Sequence, residues 1–246
     1  MEYVDYTRAV ERECEGFVVA LTEGTMDTLV PTCEGWKVAD LADHIGNFCG
    51  FWTHVLCEGT GRPKTPFEEA PRGDELVPWV AGLAGYLIDE LEATPASTEV
   101  WTWFPADHTA GFVARRCANE LAVHRTDMQA ARGNHTPIAA DLAVDGVDEV
   151  FDALLSVREQ KGAGTGRTLS LVSTDTPTAW RITLGSDGIG IERPPPESPE
   201  LATSNLVVTG TASDLELTLY HRPTLSPVDM QGDYTVLDEW HRDFTF

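Results

Sequence analysis

The stretch 112–132 reads as a helix whose apolar stripe is Phe112, Val113, Cys117, Leu121 and Met128. Glu120 and His124 fall in or beside that stripe, four residues apart and so one above the other on one face. A carboxylate and an imidazole facing a core need a partner, because burying either alone is costly. A metal ion is one such partner; a Glu–His contact or a satisfied core histidine is the plainer one. Upstream, in a helix expected over 36–56, Leu41, Ile45, Phe48, Phe51, Trp52 and Val55 surround the direction of His44. His44 is therefore expected to point into an apolar face as well. Two imidazoles and a carboxylate make the donor set of catalytic zinc sites, which leave coordination open for water or substrate. The same set suits other divalent ions. His44, Glu120 and His124 are the candidate metal ligands. Cys117 is a candidate fourth ligand, which would close the site and make it structural.

Holding three such groups together takes facing helices. Helices are expected over 5–29, 36–56, 74–93, 112–132 and 139–160, joined by modest loops, which together read as an up-down bundle. Gly46 and Gly50 would let a neighbouring helix approach the second one closely. The glycine-rich run Gly162–Gly166 reads as a linker, and after it the hydrophobic period changes. Strands are expected over 169–173, 179–184, 189–193 and 206–211, followed by a helix capped at Ser213 and a terminal helix over 235–244. The expected fold is a two-domain α+β chain: a metal-binding helical bundle over 1–161 and a small α+β domain over 167–246.

The composition narrows the partners. The 246 residues carry a formal charge of −23, which argues against a polyanion such as nucleic acid. No window approaches the roughly 18 apolar residues of a membrane span, so no membrane partner is expected. Met1–Tyr6 shows no basic segment leading into an apolar run, and a cytoplasmic location is expected. The five cysteines, Cys14, Cys33, Cys49, Cys57 and Cys117, contain no C-x-x-C pair, which points to reduced thiols.

Three segments resemble a known family. Trp36-x-Val38-x-Asp40-Leu41-x-x-His44 is similar to its first signature, and Arg116-x-x-x-Glu120-x-x-x-His124-Arg125-x-Asp127 to its second. Val208-x-Gly210-x-Ala212-x-Asp214-Leu215, running on to Arg222, is similar to its C-terminal signature. The family is that of the mycothiol-dependent maleylpyruvate isomerase-like proteins, a branch of the DinB-like metal-binding bundles. The resemblance implies His44, Glu120 and His124 as ligands of a divalent metal, with zinc the expected ion, and mycothiol sulfur at the open position. A free thiol, with a pKa of about 8.5, is only a few per cent thiolate at neutral pH. Coordination to a divalent cation deprotonates it. A thiolate so formed can add to an activated alkene, allow rotation and leave again, giving the trans isomer. With a leaving group present it gives an S-conjugate instead.

The expected activity is accordingly a mycothiol-dependent isomerase or S-transferase acting on a small electrophile, as a monomer or homodimer. Arg222, matching an arginine of the C-terminal signature, is the candidate catalytic residue from the second domain, either anchoring an anionic substrate or serving as a helix-end charge. Arg116 and Arg125 are expected to face outward. Asp127 is either an acceptor for a ligand histidine or an exposed charge. Trp101–Phe104 either lines a pocket mouth or covers the bundle end. A hydrolase using metal-bound water and a non-catalytic metal-binding bundle would carry the same donor set.

Overall fold

A computed structural model describes residues 1–62, 69–157, 164–186 and 188–243. The chain divides into two compact units, Met1–Thr136 and Pro137–Phe246. The first holds helices α1 (Tyr3–Leu21), α2 (Val38–Glu58), α3 (Leu76–Ala93) and α4 (Ala110–Arg132). α1 packs on α4 and α3, and α2 packs on α3 and α4, so the four make the expected bundle. The α2–α3 contact is close because Gly46 has no side chain: a Cβ there would lie 2.0 Å from the ring of Trp79.

The centre of this unit is α4. Thr109 caps its start by accepting the Phe112 N–H, and Gly133 ends it in the left-handed conformation, φ 74°. Fifteen of its 23 residues are buried, so it has almost no solvent face. That corrects the outward placement expected for two arginines. Arg116 is 5% exposed and Arg125 4%. Arg125 reaches α1, where its Nε donates to Glu13 Oε2 at 2.7 Å. α1 is also shorter than expected. It stops at Leu21, Gly24 turns the chain at φ 64°, and Leu29 pairs with Lys37 in an isolated bridge, which leaves Leu29 exposed.

The second unit contains α5 (Ala140–Asp152), β1 (Thr168–Ser173), β2 (Ala179–Gly185), β3 (Gly188–Glu192), β4 (Leu206–Gly210), α6 (Ala212–Leu219), β5 (Asp229–Gly232) and α7 (Thr235–Asp243). Its sheet runs β3-β2-β1-β4-β5, with β1 and β4 parallel and the other neighbours antiparallel. The four expected strands are present. β5, whose Asp-Met-Gln-Gly sequence has no alternation, is an addition. The helix expected to complete the bundle, α5, instead packs on α6. Its apolar stripe is real but serves the other core, so the division falls earlier in the chain than 161–167. The tail of that expected helix (158–160), part of the glycine linker (162–163) and residue 244 of the terminal helix lie outside the described residues.

The segment carrying the third signature is a joint between strand and helix. A Cβ on Gly210 would meet Val228 Cγ1 at 2.8 Å. Thr211, not Ser213, is the cap of α6, accepting the Asp214 N–H at 3.1 Å. Ser213 Oγ instead accepts the Ile138 N–H at 3.0 Å, ahead of α5. Buried Asp214 accepts the backbone N–H groups of Leu225 and Ser226 at 2.8 and 3.3 Å, tying down the loop that carries Arg222.

Candidate metal centre

His44 from α2 and Glu120 and His124 from α4 come together in the first unit. Their ligating atoms all lie within 4.8 Å of one another. Glu120 Oε1 is 3.3 Å from His44 Nε2 and 3.4 Å from His124 Nε2, and the two imidazoles meet edge-on with centroids 4.8 Å apart. The other carboxylate oxygen, Oε2, accepts a hydrogen bond from Arg116 Nη2. Arg116 thus fixes which oxygen of Glu120 faces the histidines.

Electrostatics follow from this packing. Burial alone would raise the Glu120 pKa, but the Arg116 charge and the hydrogen bonds with His124 and His44 hold it well below the usual carboxylate range. For His124 burial pushes the other way, yet contacts with Asp127, Cys33 and Glu120 carry it well above the usual imidazole value. Nδ1 of His124 lies 2.9 Å from Oδ2 of Asp127, a fully buried carboxylate. That settles Asp127 as a partner of this histidine, and it leaves Nε2 as the nitrogen turned towards Glu120 and His44. The donor set fits a divalent ion: two imidazole nitrogens and one carboxylate oxygen already face one another, with one ring held from behind.

Cys117 is not part of this group. It is fully buried in the bundle core and acts electrostatically on Cys49, the neighbour of Cys14. The cysteine near the centre is Cys33, whose Sγ donates to Asp127 Oδ2 at 3.6 Å. Cys33, His124 and Asp127 form a second cluster with metal-ligand atoms in range, sharing His124 with the first. Cys33 lies in the turn before α2, and no periodicity marks a turn residue. The spacing of the motif gave no warning of it.

His44 does not sit at the middle of an apolar face. Its side chain is 34% exposed, on the border between the core stripe of α2 and a face that opens on a cavity of about 880 Å³. Asp40, Asp43, His44, Asn47, Phe48 and Phe51 recur at helical spacing along that wall. Trp36 continues it, with its ring centroid 5.4 Å from that of His44. Trp101 packs against Phe51 and Trp52, and Trp103 and Phe104 against Phe112, so the aromatic run mainly buttresses the bundle.

Arg222 belongs to the second unit. Its Nη1 donates to the Tyr220 carbonyl at 2.7 Å, and its guanidinium carbon lies 5.8 Å from the Tyr220 ring centroid. Among the described residues no helix is long and apolar enough to cross a membrane.

The sequence model of the mycothiol maleylpyruvate isomerase N-terminal domain matches residues 7–129. Two solved structures share the fold. One is the mycothiol-dependent maleylpyruvate isomerase in a histidine-to-alanine mutant form, with a TM-score of 0.55 at 12% identity. The other is the mycothiol-dependent maleylpyruvate isomerase itself, with a TM-score of 0.52 at 13% identity. Both comparisons cover 94% of this chain and 93% of the other. No curated protein sequence matches the chain.

Proposed function

The chain belongs to the mycothiol maleylpyruvate isomerase N-terminal domain family, and on that footing we propose that it is a metal- and thiol-dependent enzyme acting on a small electrophile. The observation that carries the reading is the convergence of His44 Nε2, Glu120 Oε1 and His124 Nε2 at the edge of a cavity. A divalent ion held there supplies Lewis acidity, lowering the pKa of a thiol or water that joins it.

The protein's own residues do the rest. His44 and His124 each turn Nε2 towards Glu120 Oε1, and Glu120 offers that oxygen while Arg116 occupies the other. Asp127 keeps the proton of His124 on Nδ1, away from the ligating side. Phe48, Phe51 and Trp36 give the cavity an apolar part to its wall, against which the carbon skeleton of a reacting molecule can lie. Arg222 is the contribution proposed for the second unit, as an anchor for negative charge on the substrate or developing during reaction. Mycothiol is the proposed thiol, and isomerisation of an activated alkene or transfer of the thiol to an electrophile the proposed outcome.

The test starts with metal analysis: about one divalent ion per chain is expected, falling sharply in His44→Ala and in His124→Ala. Unchanged metal content in both variants sinks the assignment. Turnover of an electrophilic alkene is then compared with mycothiol present, absent, or replaced by an unrelated thiol. Equal rates without thiol would make bound water the nucleophile and the protein a hydrolase. No turnover of any kind, with metal bound, would leave a structural metal site. Arg222→Ala is expected to lower turnover roughly tenfold or more with metal content intact.

A further inference from the structure

The end of α6 is closed by α7 and by the two residues that follow its last turn. A helix leaves its final four carbonyls without partners of its own. Here the Leu217 carbonyl accepts the Arg222 N–H at 2.8 Å, and the Thr218 carbonyl accepts the His221 N–H at 3.1 Å. This pair of bonds is the closure in which a residue in the left-handed conformation turns the chain off a helix. Trp240 of α7, fully buried, donates its indole N–H to the Leu219 carbonyl at 2.9 Å. His241 Nε2 lies 2.7 Å from the Thr218 carbonyl, and Arg222 Nη1 donates to the Tyr220 carbonyl at 2.7 Å.

The residue in the left-handed conformation is His221, at φ 57°, the one non-glycine with a positive φ among the described residues. Glycine is the usual choice there, because a Cβ crowds the backbone. Backbone held in such a region gathers at functional sites, where the surroundings over-determine it. Core burial does not explain this case, since His221 is exposed. Its ring instead stacks on that of His241, with centroids 4.1 Å apart and planes 13° from parallel. Arg222 comes next, and Pro223 beyond it biases Arg222 towards extended backbone. Further on, Leu225 and Ser226 are tied to Asp214. His221 is therefore the joint on which the arginine turns. If it left the left-handed region, the Arg222 N–H would part from Leu217 and the side chain would swing away from Tyr220.

We propose that His221 and His241 are positioning residues for Arg222, their stacked rings holding the turn that presents its guanidinium to an anionic group. The proposal rests on the reading of Arg222 as the anchor for negative charge. A long side chain already held in place loses less freedom when it takes up a carboxylate. The stack should thus act on the binding of charged substrates and leave the metal centre alone.

The test uses zinc-loaded protein and His221→Gly, which keeps the turn conformation accessible and removes the ring. His241→Gln breaks the stack from the other side while keeping a donor for Thr218. Nitrogen-15 relaxation of the Arg222 Nε–H, identified by its loss in Arg222→Ala, reads the order of the side chain. Turnover with mycothiol is measured on monomethyl maleate, which carries one carboxylate, and on dimethyl maleate, its neutral counterpart. Both variants are expected to keep wild-type zinc content and to show a lowered heteronuclear NOE at Arg222. KM for the monoester is expected to rise about fivefold with kcat within twofold, and KM for the diester to stay within twofold. An unchanged NOE in either variant overturns the proposal. So does an equal rise in KM for the two esters, which marks a general loss of structure. A lowered NOE with both KM values unchanged sinks the anchor reading and leaves the stack's hold on Arg222 standing. If the wild type turns over neither ester, the enzyme reading fails and the NOE alone decides between hold and no hold.

Discussion

Asp127 Oδ2 and His124 Nδ1 are 2.9 Å apart one turn along the same helix, and the carboxylate is fully shielded from solvent. The ring is thereby fixed in rotation and tautomer before any ion arrives. Asp127→Asn keeps the size but lets the amide present either a donor or an acceptor. Metal affinity is expected to fall 10- to 100-fold. Competition with a chromophoric chelator measures it, and an unchanged affinity would show that the contact has no bearing on the ligand.

Arg125 and Glu13 tie α4 to α1 through side chains only 5% and 2% exposed. Arg125→Ala leaves buried Glu13 with the half-exposed Arg12, at 2.9 Å, as its remaining cation, and the expected loss is about 1–3 kcal/mol in urea unfolding. Glu13→Gln/Arg125→Met, which removes both charges, should recover much of it. A loss below about 1 kcal/mol in the single variant would mean that water reaches Glu13 readily.

Gly46→Val places a branched side chain where the Trp79 ring already sits. The α2–α3 contact must open or Trp79 must leave, and a cost of roughly 2 kcal/mol is expected. Because His44 is two residues away on α2, metal affinity should weaken in the same variant. Full stability with a red-shifted tryptophan emission would show that the ring simply relocates.

His241 lies against the His221 ring with centroids 4.1 Å apart and its Nε2 2.7 Å from the Thr218 carbonyl. Burial first, and then the His221 charge, depress its pKa, although the Thr218 contact opposes this. A histidine whose folded pKa is depressed contributes stability that is complete above its unfolded value, about 6.5, and is lost as pH falls through the folded value. The wild-type chain should therefore lose stability below pH ~6.5 faster than His241→Gln, which keeps a donor for Thr218 without titrating. Parallel curves for melting temperature against pH would remove His241 from the account.

The convergence of His44, Glu120 and His124 is legible in the sequence because helical periodicity brings distant letters onto one face. Glu120 and His124 need only their spacing, and His44 needs only that α2 be a helix. Periodicity says nothing about a helix that is buried on all sides. Arg116 and Arg125 read as outward because charge is ordinarily solvated, yet α4 has no outward side to offer them. Cys33 and β5 escape for a different reason, since neither a turn residue nor Asp-Met-Gln-Gly carries a periodic signal. α5 shows the third limit: an apolar stripe announces that a helix will be covered, not by which neighbour.

The two helices that meet at the trio differ in how freely they can change. Most of α4 is enclosed, so a random substitution there threatens folding before it touches chemistry. Asp43 and Asn47 on α2 face open space, where exchanges cost little stability. Selection can thus rewrite the cavity wall letter by letter while the helix that carries Glu120 and His124 stays intact. A scaffold divided in this way can acquire a new substrate without passing through an unfolded ancestor.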